Sequence, residues 1–84
     1  MKIGDTIENT RHGVNGTDIP VGAVVSYATG VDQKRINWTV VDTHCGKMLC
    51  LGDTPSTNHP TGQSPANCIH GQNGPMTIVS LPAA

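Results

Sequence analysis

Phenylalanine is absent from this 84-residue chain, and tyrosine and tryptophan occur once each, as Tyr27 and Trp38. Aromatic side chains supply the largest burial per residue. The core therefore has to be assembled from Val, Ile, Leu, Met and Ala. A chain this short is one domain, residues 1–84, and buries only about 60–65% of the surface its unfolded state exposes. So small a core calls for a disulfide, a metal or a partner subunit. A homo-oligomer or a bound ion is the first expectation.

Charge is scarce as well. Charged residues make up 13% of the chain, against about 25% in ordinary soluble domains, and the net charge is −1. Lys2, Arg11, Lys34, Arg35 and Lys47 are scattered, with only Lys34 and Arg35 adjacent. Binding a phosphate backbone needs clustered cations, and stacking on single strands needs aromatics. Nucleic acid is excluded as a partner on both counts, and so is an acidic mimic of it. No apolar run approaches the ~18 residues of a membrane helix. The opening "MKIGDTIENT" turns polar after one isoleucine, unlike a secretory signal, so the expected location is the cytosol. In that compartment three cysteines are expected as thiols or metal ligands rather than as a disulfide framework.

Strong helix formers are sparse, and no window of about 11 residues sustains a helical apolar period. Gly, Pro, Asn and Thr recur instead, as they do between strands and turns. Alternation predicts strands at Val21–Ala28, Ile36–Thr43, Lys47–Leu51 and Met76–Leu81, with a fifth in "KIGDTI". Val25, Tyr27, Trp38, Val40, Leu49 and Ile78 form the expected core. Val24, Val41 and Val79 fall on the opposite face, where exposed apolar residues would mark a self-association surface. Cys45–Gly46 is the expected centre of a tight hairpin turn. The fold class is all-β: a small SH3-like barrel or half-barrel of four to five short antiparallel strands. Asp53–Pro75, with four prolines, reads as a long irregular loop.

Chemistry concentrates in "DTHCGKMLC" (Asp42–Cys50) and in that loop. Zinc takes four Cys or His ligands in a tetrahedron. Cys45, Cys50, Cys68 and His70 are the candidate set, and they would staple the loop to the sheet. The spacing is unlike zinc knuckles, with four residues between Cys45 and Cys50. An Asp42–His44 pair with Cys50 or Cys68 as nucleophile is the catalytic alternative. No nucleophile elbow, phosphate-cradling loop or carboxylate pair accompanies it. The chain is therefore expected to have no catalytic residues and to be no enzyme. Asp42, His44, Lys47, His59 and His70 form the expected ligand or partner surface, since binding residues concentrate on loops of a rigid scaffold.

The order "DIPVGAVVSYATG … INWTVVDTHCGKMLCLGD … GPMTIVSLP" resembles the small SH3-like β-domains of short phage and prophage accessory proteins. A proline-led "PVG.V" strand is followed there by a Trp-bearing strand. "IPVGAVVSYA" is also similar to the start of phage tail-fibre collar segments, whose later Gly-Trp and Cys-Asp-Gly signature is missing here. The resemblance implies a protein that acts by binding. It would neutralise a host protein or sequester a small, nucleotide-like ligand, with a structural virion component (tail or head) and a zinc-stapled protein-binding module as alternatives.

Overall fold

The computed structural model describes residues 1–29, 34–43, 46–51, 68–69 and 74–83. They form one antiparallel sheet of six strands: β1 (Thr6–Asn9), β2 (Val24–Thr29), β3 (Lys34–Thr43), β4 (Gly46–Leu51), β5 (Cys68–Ile69) and β6 (Gly74–Ser80). The order across the sheet is β1-β6-β2-β3-β4-β5. Strands β2 to β5 are a meander, after which the chain returns to insert β6 between β1 and β2. The all-β expectation is met.

The return dictates the curvature of the sheet. A flat sheet would separate β5 from β6 by four strand spacings, or about 19 Å. Ile69 and Gly74 are five residue steps apart (74 − 69), which reach at most about 18 Å fully extended. The sheet must therefore coil, bringing its β5 side toward β6. It is nevertheless not closed: β1 and β5 are its two ends, and among the described residues no ladder joins them. A half-barrel describes this sheet better than the closed barrel that an SH3-like reading implies.

Coiling produces a concave face, and period-two alternation fills it in rows. Ile7, Met76, Tyr27 and Ile36 are successive cross-strand partners on β1, β6, β2 and β3. Ile78, Val25, Trp38 and Leu51 make the next row, on β6, β2, β3 and β4. Val40, Leu49 and Ile69 continue the pattern on β3, β4 and β5. All six residues expected in the core are buried, none more than 5% exposed. The Trp38 indole N–H is satisfied inside, donating to the Tyr27 carbonyl at 3.2 Å. Buried polar groups of this kind need such a partner.

The segment between β1 and β2 supplies what the aromatic-poor strands lack. A short 3-10 turn at Val14–Gly16 packs against β4, and Val14 and Ile19 are fully buried in the same cluster. Thr17 holds the turn with its hydroxyl, donating to the Val14 carbonyl at 2.6 Å. The loop thus acts as a plug over the concave face.

Three expectations need correction. Strand β2 starts at Val24 rather than Val21, because Pro20–Ala23 is a turn closed by the Ala23 N–H on the Pro20 carbonyl. Strand β1 starts at Thr6 because Lys2–Asp5 is likewise a turn, capped by the Asp5 carboxylate on the Lys2 N–H. The apolar second face is not an exposed patch either. Val24 is 4% and Val41 5% exposed, and Thr39, Met48 and Cys50 beside them are also buried. Only Val79, at 40%, remains outside. The central stretches Val24–Val25, Trp38–Val41 and Met48–Cys50 are buried on both faces, so of the three valines expected in an exposed patch only Val79 is exposed.

Candidate functional site

The hairpin of β3 and β4 carries the residues that the sequence marks for function. Thr43 pairs with Gly46 at the described end of the hairpin. Of the expected turn centre, Cys45–Gly46, Gly46 is the first residue of β4 and Cys45 lies outside the described residues. Gly46 opens β4 with φ +91°, a backbone conformation that side chains oppose. The Asn15 side chain lies against its Cα, and a Cβ built there would overlap it. Beside it the Lys47 N–H donates to Asn15 Oδ1 at 3.1 Å. The Thr43 hydroxyl donates to the Gly46 carbonyl at 2.8 Å, tying the two strand ends together.

Lys47 has a structural task. Its ammonium donates to the Thr17 carbonyl at 2.7 Å and the Ile19 carbonyl at 2.9 Å. These are charge-assisted bonds from a half-buried side chain, which locks the plug loop onto β4. Lys47, expected on a partner surface, thus donates its ammonium hydrogens within the fold. Lys47→Met keeps the aliphatic stem and removes both bonds. It is expected to lower stability by about 2 kcal/mol, read as a drop in the thermal midpoint of roughly 8–16 °C for a domain of this size.

Asp42 is exposed and is the cross-strand partner of Lys47. His44, Cys45, His59 and His70 lie outside the described residues. Of the expected surface, the structure therefore places only Asp42 and Lys47, and of the expected zinc set only Cys50 and Cys68.

Those two cysteines overturn the thiol expectation. Cys50 and Cys68 are direct cross-strand partners on β4 and β5 and are joined by a disulfide. Side chains on opposed residues of an antiparallel pair meet over the same face of the sheet. Cross-strand pairing on β4 and β5 thus brings the two sulfurs together. A disulfide sulfur is no thiolate, so neither can ligate zinc in this oxidation state. Of the set Cys45, Cys50, Cys68 and His70, Cys50 and Cys68 are bonded to each other and so neither is a free nucleophile, while Cys45 and His70 lie outside the described residues. Among the described residues no three His, Cys, Asp or Glu side chains gather as a metal site.

The bond also changes the topology of the chain. It makes residues 50 to 68 a covalent ring, with a sequence separation of 18. Most of the segment read as a long irregular loop lies within that ring. The sequence signal at this point is only "CI", a β-branched residue beside a cysteine within a Pro-rich stretch. Comparison with protein-family models, with curated proteins and with solved structures found no match to this chain.

Proposed function

We propose that this chain is a non-enzymatic binding domain of phage type, in which the coiled sheet is a rigid support for a covalently closed loop. The observation that carries the reading is the Cys50–Cys68 disulfide. Closing a ring of this length removes about 3 kcal/mol of unfolded-chain freedom, on a chain-entropy estimate. A loop restrained beforehand has less freedom to lose when a partner docks on it. Nucleophilic catalysis by either cysteine would need it free.

Two versions of this reading differ in location. Neutralising a host protein, or sequestering a small nucleotide-like ligand, would place the chain in the cytosol. A structural role in a virion would place it outside. Disulfides persist on virion and cell surfaces and are kept reduced in the cytosol. The virion version is therefore favoured. Among the described residues no helix is long and apolar enough to cross a membrane. Self-association belongs to the proposal because the core remains small, and light scattering is expected to give a mass above the 8.8 kDa of one chain.

The test is native mass spectrometry of gently purified chain, joined to chemical crosslinking in producing cells. The expected result is an oxidised chain carrying neither zinc nor an organic ligand, crosslinked to a particle protein. A copurified organic mass or a crosslink to a soluble host enzyme would move the function to the cytosolic version. Bound zinc on a reduced chain would refute the disulfide-based reading.

A further inference from the structure

Strand β5 consists of two residues and pairs with β4 through Leu49↔Ile69 and Cys50↔Cys68 alone. Every other described strand has four residues or more. Ile69 packs against the core without being fully buried, so a single side chain is the apolar anchor of β5. Docking it also means closing the long connection from Leu51, whose entropy opposes the contact. Few noncovalent contacts therefore stand against a substantial closure cost. The covalent bond makes up the difference.

The two sulfurs are unequally placed. Cys50 is 2% exposed, whereas Cys68 is half-buried at the end of the sheet. Cys68, the more exposed residue of the pair, is therefore the side on which an incoming thiolate is expected. Thiol–disulfide exchange depends on this access.

We infer that Cys50–Cys68 is a redox latch that holds β5 on the sheet and releases it on reduction by a dithiol. In the first step a thiolate of the reductant attacks Cys68 Sγ. The S–S bond breaks, and Cys50 leaves as a thiolate and takes up a proton. The reductant's second thiol then attacks the mixed disulfide, expelling Cys68, which is protonated in turn. Two electrons pass to the cysteines, and the dithiol becomes a cyclic disulfide. Without the bond, β5 leaves β4, and the backbone edge of Leu49 and Cys50 becomes the end of the sheet. The ring from 50 to 68 opens in the same event. The inference concerns the chain alone and holds whichever partner the loop meets.

The test is hydrogen exchange on the full chain carrying Cys45→Ser, so that Cys50 and Cys68 are its only sulfhydryls. Dithiothreitol is the dithiol, and Cys50→Ala/Cys68→Ala on the same background reports the unlatched state without reductant. In both, exchange across Cys68–Ile69 is expected to rise at least about 100-fold, while Val25 and Val40 in the central strands stay within about 3-fold. A limiting monothiol should form its adduct on Cys68 rather than Cys50. Unchanged exchange at β5 in the reduced and double-alanine chains would overturn the latch. So would loss of protection throughout the sheet, which would make the bond a global staple. A bond that survives dithiothreitol in the folded chain would overturn it as well.

Discussion

Trp38→Ala is expected to lower the unfolding free energy by about 4 kcal/mol, the largest effect of any single change in this chain. The side chain is 5% exposed and sits between Val25 and Leu51 in the second row of the concave face. No phenylalanine is available nearby to collapse into the space, since the chain has none. The change also removes the indole N–H that donates to the Tyr27 carbonyl. A domain of 84 residues has roughly 4–13 kcal/mol to lose in total, so the variant is expected to be substantially unfolded at 37 °C. Trp38→Phe separates the two contributions. It keeps most of the ring volume and lacks the donor, so a loss of about 1–2 kcal/mol is expected. Denaturant unfolding followed by circular dichroism reads both, because Trp38 is the only tryptophan and fluorescence disappears with it. A loss under about 1 kcal/mol for the alanine variant would mean that the indole is not packed as described.

Gly46→Ala is expected to cost about 3 kcal/mol through two separate terms. Holding a side chain at φ +91° costs roughly 1–2 kcal/mol by itself. The added methyl group also overlaps Asn15, which has to swing away and release the Lys47 N–H. That lost bond adds about 1 kcal/mol. The double variant Gly46→Ala/Asn15→Ala discriminates between them: with no amide to displace, its cost should fall short of the sum of the single changes. Strict additivity would show that Asn15 and Gly46 do not touch.

What the sequence disclosed about this fold follows from the range of each interaction. Val25 and Tyr27, and Trp38 and Val40, announce themselves because alternation is a local property of a strand. Strand β5 does not, since two residues cannot display a period of two. Lys47 looked available because its acceptors are backbone carbonyls 28 and 30 residues away in sequence, at Ile19 and Thr17. The Cys50–Cys68 bond was hidden for a related reason. Cysteine count and presumed compartment argued for thiols, whereas pairing depends on cross-strand register, which only the assembled sheet defines. Burial of Val24 and Val41 is not legible because alternation assigns one face to solvent, and here the middle of the sheet, Trp38–Val41 and its neighbours on β2 and β4, is covered on both. Of the five residues of the expected partner surface only Asp42 and Lys47 are described, and Lys47 also bonds within the fold.

The disulfide carries both the functional proposal and the latch, and peptide mapping of unreduced, alkylated chain tests it most directly. Trypsin cuts after Lys47, placing Cys45 alone in the fragment 36–47 and both Cys50 and Cys68 in the fragment 48–84. The expected result is alkylation of 36–47 and none of 48–84, with chymotryptic cleavage after Leu51 leaving its two halves still linked. Alkylation of all three cysteines in chain protected from reduction, or a link running from Cys45 to either of the others, would contradict it.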